Sequence, residues 1–453
     1  MKGVEILANA AGATGLALSA NEKFVAANLR GRWLHDEFGG RADEVPGVIK
    51  LLGADGAVTG SAHGWPLGAP ADDGTLLYVE EAPVEYSYRV RILGQDQTIE
   101  LQPPDGFWQV KAALRPAGSS CALVALWSPV KGSDWKVPQQ RRERLWLASI
   151  DAATLKVTAS KTIEATLPVR DGARFGLGIA AGMVAGTPTV AFVDLPAPDA
   201  SSPAWHVRAF DCATLDSRWE AALPVGGGGQ ADEPSGGGAS EPPPMPASPP
   251  TAAEERTLRD VAIGFSGDGR SIVAVHGQAG AMAVDPDRVY VLGAADGSLA
   301  ATLSGDRRPT EPVHAIAGVP AQPAVALLHL EAVRSGDAAR SVTFFGASEL
   351  TVPAGGFTSL LDVSRASLGD DWESYRKMGP RSFAVTSDGT LLLAPASFDW
   401  VRAHGHGAGL PTGSGDGAKS PEVSQWFHYP LEWHRDARDR VQERDRWMDS
   451  MRR

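Results

Sequence analysis

Cysteine is scarce in this chain, long apolar runs are missing, and basic residues never cluster. Two Cys in 453 residues cannot form a disulfide framework. Cys121 begins the strand-like run Cys121-Ala122-Leu123-Val124-Ala125-Leu126 and Cys212 follows Phe210-Asp211, so both read as small buried hydrophobes in a reducing cytoplasm. No stretch approaches the roughly 18 apolar residues that a membrane span needs, and Glu5 and Asn9 interrupt any export leader behind Lys2. With 54 acidic against 42 basic side chains, a net charge of −12 and no run of five Lys or Arg, nucleic acid is not the default partner.

Catalytic signatures are missing as well. No Gly-x-Ser-x-Gly elbow occurs; Gly264-Phe265-Ser266-Gly267 starts one, but Asp268 ends the match. No glycine loop closes on Gly-Lys-Ser/Thr, and Gly176-Leu177-Gly178-Ile179-Ala180-Ala181 reads as glycines in a strand rather than a dinucleotide loop. His404-Gly405-His406 would need a third ligand such as His428 or His434, and reads as a solvated loop. The ten His are scattered without an obvious carboxylate partner, and His276, His314 and His329 in apolar strands read as structural. The sequence therefore assigns no catalytic, cofactor-binding or metal-ligating residue.

Hairpins are abundant. One kind recurs at Ala71-Asp72-Asp73-Gly74-Thr75, Ser266-Gly267-Asp268-Gly269-Arg270 and Thr386-Ser387-Asp388-Gly389-Thr390, and more weakly at Ser19-Ala20-Asn21-Glu22-Lys23. Asp-Gly or Asn supplies the positive φ of a tight turn between apolar strands. A second kind has turns at Gly53-Ala54-Asp55-Gly56, Gly94-Gln95-Asp96-Gln97, Asp151-Ala152-Ala153-Thr154-Leu155, Asp211-Cys212-Ala213-Thr214-Leu215, Gly293-Ala294-Ala295-Asp296-Gly297 and Gly346-Ala347-Ser348-Glu349. Two hairpins make a four-stranded antiparallel unit; six such units are counted, and a seventh starts from the hairpin at 386–393, with partners at 424–433 and in the N-terminal strand 4–8.

Through the Ser-x-Asp-Gly turn at 266–269, the Ser-Asp-Gly turn at 387–389 and the Asp-x-x-Thr-Leu turns at 151–155 and 211–215, the sequence resembles the WD-repeat-like and quinoprotein-like β-propellers. It departs from true WD repeats in having no Trp-Asp dipeptide, and its one Gly-His, Gly405-His406, falls in a glycine-rich loop. The fold expected is all-β: a seven-bladed β-propeller of four-stranded antiparallel blades over 1–432, closed by the N-terminal strand, followed by a short C-terminal α-helix at 433–453. Two β-sandwiches split at the insert are the alternative.

Residues 226–255 hold seven Gly and seven Pro with scarcely any large apolar side chain, and read as a flexible insert between blades 4 and 5. A long Gly-rich loop, 403–421, falls in the last blade. The C-terminal segment mixes charges at i,i+4, such as Arg435 with Asp439, around a narrow apolar stripe of Ala437, Val441, Met448 and Met451. That helix either folds back on the ring or inserts into a partner, with Val441, Trp447, Met448 and Met451 as its contact residues.

Thirteen Trp are present, and several stand in polar surroundings. Trp and Arg anchor interfaces disproportionately, so Trp33, Trp135, Arg141, Arg142, Trp372 and Trp400 are the candidate partner-binding residues. The function expected is a non-catalytic scaffold or recognition subunit, monomeric alone, that binds another protein through loops on one face and involves neither cofactor, nucleic acid nor membrane. The alternative is a propeller enzyme of hydrolase, lyase or oxidoreductase type with its site in the central channel.

Overall fold

A strand that reads as an unbroken apolar run, such as Ile272-Val273-Ala274-Val275, needs cover on both faces, because successive side chains point to opposite sides. The computed structural model describes residues 3–10, 13–29, 48–82, 87–107, 109–129, 143–165, 178–194, 205–224, 259–279, 284–304, 309, 313–330, 340–346, 357–359 and 380–395, and shows how that cover is supplied.

After β1 (Gly3–Ile6) and one 3-10 turn (Ala8–Ala10), the chain forms a sheet from β2 (Ala13–Leu18), β3 (Phe24–Leu29), β4 (Val48–Gly53) and β5 (Val58–His63). The next sheet holds β6 (Trp65–Pro66), β7 (Leu77–Ala82), β8 (Ser87–Ile92) and β9 (Thr98–Leu101). Then come β10 (Gln109–Leu114), β11 (Cys121–Pro129), β12 (Glu143–Asp151) and β13 (Lys156–Ala165), followed by β14 (Ile179–Val184), β15 (Thr187–Asp194), β16 (Trp205–Asp211) and β17 (Ser217–Leu223). β18 (Arg259–Phe265), β19 (Ser271–Ala279), β20 (Val284–Gly293) and β21 (Leu299–Leu303) join through one bridge pair, Val284 opposite Val313, to β22 (Val313–Gly318), β23 (Ala324–Leu330), β24 (Arg340–Gly346) and β25 (Phe357–Ser359). Last are β26 (Pro380–Val385) and β27 (Thr390–Pro395). Consecutive strands within each of these groups pair antiparallel.

The apolar cores lie between sheets. In β11, Ala122, Val124 and Leu126 pack on the β6–β9 sheet, while Cys121, Leu123 and Ala125 pack on the β14–β17 sheet. In β19, Ile272 and Ala274 face one neighbour, Val273 and Val275 the other. In β27, Leu391 and Leu393 meet Leu328 and Val319, whereas Leu392 and Ala394 meet Val25 and Leu52. Each large aliphatic side chain buried this way contributes roughly 1.5–3 kcal/mol.

The first strands of successive sheets also pack on one another: β10 on both β6 and β14, β14 on β18, β18 on β22, β22 on β26 and β26 on β2, while β6 reaches β3 and β4. Sheets that stand face to face around an axis with their first strands innermost form a β-propeller. The two-sandwich alternative fails, because Trp205, Trp219 and Leu223 before 226–255 share one core with Val261, Phe265 and Tyr290 after it.

β1 closes the sequence of sheets by pairing with β27, from Gly3 opposite Thr390 to Ile6 opposite Leu393. This pairing is parallel. The chain must leave β1 at the end where β2 begins, a few residues later, and that is also the end toward which β27 runs. β1 thus has the direction of a fourth strand while occupying the place next to the second.

The Asp-Gly turns form as expected, with positive φ at Gly74, Gly269 and Gly389. Gly269 is needed twice over: its φ is +70°, and a Cβ would stand 1.7 Å from the Met183 carbonyl oxygen of the adjacent sheet. The turn expected at Gly346-Ala347-Ser348-Glu349 falls on residues 347–356, which lie outside the described residues; the strand described after them, β25, begins at Phe357. The segments 226–255, 403–421, 424–433 and 433–453 lie outside the described residues.

Candidate functional site

In an up-and-down sheet the first-to-second and third-to-fourth turns share one end, and the remaining connections share the other. Neighbouring first turns touch here. Asn21 N donates to Asp72 Oδ1 at 2.8 Å, Ser387 Oγ to Glu22 Oε2 at 3.0 Å, and Asp268 N to Gln322 O at 2.9 Å. Third-to-fourth turns join the same end, since Ala152 N donates to Ser120 O and Ala294 N to Arg270 O. The described strands therefore have a tight-turn face and an opposite loop face.

Acidic residues on the tight-turn face serve the backbone. Asp268 Oδ1 accepts from Ser266 Oγ and Arg270 N, Asp388 Oδ1 from Thr386 Oγ1 and Thr390 N, and Asp151 Oδ1 from both N and Oγ1 of Thr154 at 2.7 Å. Such donors favour the ionised form. The Thr75 amide holds Asp73 below the usual carboxylate range; Thr154, hydroxyl first, does so for Asp151, and the Ser298 amide for Asp296. Carboxylates committed in this way cap turns and are poorly placed to exchange protons.

The loop face is built differently. From it leave 30–47 between β3 and β4, 130–142 between β11 and β12, 166–178 between β13 and β14, 224–258 between β17 and β18, and 360–379 between β25 and β26. On the tight-turn face most connections have two to six residues; 67–76 and 347–356 are longer. Trp33 falls in the first of the loop-face connections, Trp135, Arg141 and Arg142 in the second, Trp372 in the last, and Trp400 just beyond β27. All six lie outside the described residues, as do Val441, Trp447, Met448 and Met451.

The first strands begin at this same face, and four share a defect in their pairing. Register slips by one residue between Ala13 and Gly15 in β2, Val110 and Ala112 in β10, Val313 and Ala315 in β22, and Pro380 and Ser382 in β26. The extra residues are Thr14, Lys111, His314 and Arg381, so four β-bulges put a polar, mostly basic residue at equivalent backbone positions near one mouth of the ring. Bulges recur beside binding sites and barrel rims. Sequence reading passed over Thr14, Lys111 and Arg381 and took His314 as structural, although a signal existed: each is a polar residue between small or apolar neighbours at the start of a strand.

Three histidine side chains are described: His63, exposed at the end of β5, His206 and His276. His276 is buried, packed edge-on against Trp205 and Tyr290, which fits the structural role expected of it. His206 does have a carboxylate partner, contrary to the sequence reading: its Nδ1 is 2.8 Å from Glu220 Oε1, supplied by the adjacent strand. Arg208 links Asp194 and Glu220 beside it; Arg208 and Asp194 are mostly buried and Glu220 is half-exposed. Among the described residues no group of three or more His, Cys, Asp or Glu is arranged to hold a metal ion, and no helix is long and apolar enough to cross a membrane.

No family model and no curated protein matches the chain. Solved structures similar to it include Kuenenia stuttgartiensis hydrazine synthase (14% identity, TM-score 0.42, covering 86% of this chain and 94% of that one). They also include U3-55K (10% identity, TM-score 0.40, 84% and 86% covered) and the β-propeller domain of the trilobed protease from Pyrococcus furiosus (8% identity, TM-score 0.39, 76% and 81% covered).

Proposed function

We propose that this chain is a seven-bladed propeller that works as a non-catalytic recognition subunit in the cytoplasm, monomeric by itself, holding another protein on its loop face. One observation carries the reading. The connections bearing Trp33, Trp135, Arg141, Arg142 and Trp372 all leave from the face at which the four bulges lie. The opposite face is occupied by turns whose carboxylates are already engaged. The C-terminal segment 433–453 forms a helix that adds to the same contact through Val441, Trp447, Met448 and Met451. The count of seven is supported by cores between successive sheets that return from the β26–β27 sheet to the β2–β5 sheet.

The test is affinity capture from the native host with three baits. Wild type and a tight-turn-face variant, Lys23→Glu with Arg270→Glu, retain the same partner, whereas Trp135→Ala with Arg141→Glu and Arg142→Glu loses it. Retention by all three baits, or loss with the tight-turn variant, rejects the assignment to the loop face.

A second reading is favoured by the bulges themselves. Lys111, His314 and Arg381 at one mouth suit an enzyme site of hydrolase, lyase or oxidoreductase type in the central channel. Turnover in a substrate screen that disappears in Lys111→Ala and His314→Ala, with the fold intact, would replace the recognition reading.

A further inference from the structure

Cys121 opens β11 and Cys212 follows β16, so the two thiols come from neighbouring sheets and from positions 91 residues apart. Cys212 is fully buried and Cys121 is 5% exposed. Both lie in the core that Leu123, Leu147, Phe192 and Phe210 share between the sheets. Their sulfurs stand 3.1 Å apart. Carbon atoms in such cores pack at about 3.5–4.0 Å, so two sulfurs, larger than carbon, are closer than space filling requires.

Polar groups attend one sulfur. Ser149 Oγ is 3.3 Å from Cys121 Sγ, and Thr158 Oγ1 donates to Ser149 Oγ at 3.0 Å, which leaves the Ser149 hydroxyl hydrogen free to point at the sulfur. The hydrogen bond shared with Cys212, and after it the one from Ser149, holds the Cys121 thiol below its ordinary value against the effect of burial. The same shared bond, with deeper burial, pushes Cys212 up. One thiol is therefore equipped to attack and the other to resolve.

We propose that Cys121 and Cys212 form an oxidative modification site, a thiol pair that a hydroperoxide converts into a disulfide fastening two neighbouring sheets of the ring. The Cys121 thiolate attacks one peroxide oxygen; the O–O bond breaks, Cys121 becomes a sulfenic acid, and the other oxygen leaves as hydroxide and takes up the thiol's proton to become water. Cys212 Sγ then attacks Cys121 Sγ. The S–S bond forms as the S–O bond breaks, and the leaving hydroxyl carries off the Cys212 proton as a second water. Two thiols lose two electrons, which the peroxide gains. The sulfurs need to approach by only about 1 Å to reach the S–S bond length of roughly 2.05 Å.

The folded full-length chain is treated with hydrogen peroxide, alkylated, digested and examined by mass spectrometry without reduction. Expected are the loss of two hydrogens, a peptide pair joining Cys121 to Cys212, reversal by dithiothreitol, and a higher thermal midpoint for the oxidised form. In Cys212→Ser the attacking thiol lacks its resolving partner, and dimedone traps a sulfenic acid at Cys121; in Cys121→Ser the dimedone signal falls at least tenfold. If neither variant folds, the linked peptide in wild type still decides. Two thiols that stay free at a peroxide dose consuming glutathione in the same tube overturn the proposal. So does oxidation that yields sulfinic acids or cross-linked dimers with no link inside the chain.

Discussion

Trp219 in β17 crosses to the next sheet and donates its indole Nε1–H to the Ala294 carbonyl at 3.0 Å, with its ring lying against Gly297. A Cβ on Gly297 would come within 2.5 Å of the indole, and its φ of +72° is strained for any residue with a side chain. Trp219→Ala is therefore expected to cost about 3–5 kcal/mol, as large aromatic truncations do. Trp219→Phe keeps most of the packing but orphans the carbonyl, at about 1–3 kcal/mol. Gly297→Ala should fall between them. Urea melts followed by circular dichroism rank the three, and a Gly297→Ala variant as stable as wild type would show that the two sheets do not lock at this point.

Leu215 takes φ +60° in the Asp-x-x-Thr-Leu turn, a conformation costing roughly 1–2 kcal/mol for a residue with a Cβ. It is nonetheless 1% exposed, packed in the core with Phe192 and Phe210. Burial exceeds strain, so Leu215→Gly, which relieves the strain, should still destabilise, while Leu215→Ala, which keeps the strain and leaves a cavity, should cost more, about 2–5 kcal/mol. Denaturant midpoints of both variants check this order; a stabilised Gly variant would mean that strain outweighs the core contact.

Asp151 makes a pH prediction. Its carboxyl is depressed by Thr154, so the unfolded chain takes up a proton at higher pH than the folded one. The stability it contributes is complete above the unfolded value, near pH 4, and is lost as pH falls through the folded value. Asp151→Asn retains an acceptor for Thr154 but cannot titrate. Thermal midpoints from pH 7 to pH 3 should therefore converge for wild type and variant at the acid end, with wild type higher at pH 7. Parallel curves throughout this range would contradict a titrating cap.

Local features of the fold were legible in the sequence. Asp-Gly turns at 73–74, 268–269 and 388–389 have their own φ requirement, and runs such as Cys121 to Leu126 declare two covered faces. What escaped depends on closure. The parallel direction of β1 follows from where β2 must start, the bulges at Thr14, Lys111, His314 and Arg381 are properties of pairing register, and the approach of Cys121 to Cys212 is set by two sheets meeting. The six Trp and Arg positions chosen for partner contact were sorted by local polarity; that five belong to connections leaving one face, and that Trp400 follows a strand ending at that face, emerges only once strand directions are known.

Residues 226–255 connect β17 to β18, whose sheets already share a core, and Pro224 O before them is fixed by Tyr290 Oη at 2.8 Å. Replacing 226–255 with a short Gly/Ser linker should shift the thermal midpoint by no more than a few degrees, since each halving of loop length changes the closure entropy by about 0.6 kcal/mol. Limited proteolysis should cut wild type there first. A large fall in the midpoint, or resistance of the segment to protease, would mean that it packs on the ring.

Truncations at the two termini should behave differently. Deleting residues 1–7 removes the strand paired with β27 and takes Leu7 out of the core that includes Val25, Leu52 and Leu392. It leaves an unpaired apolar edge, Leu391-Leu392-Leu393, which invites association between chains. The expected result is a strongly lowered thermal midpoint with aggregates in size-exclusion chromatography. Deleting 434–453 removes a narrow stripe of Ala437, Val441, Met448 and Met451; if that segment serves the partner, the midpoint holds and only complex formation is lost. A C-terminal truncation that melts early but still binds would assign the segment to the ring instead. An N-terminal truncation that stays monomeric with its midpoint intact would show that the β1–β27 pairing is not what closes the propeller.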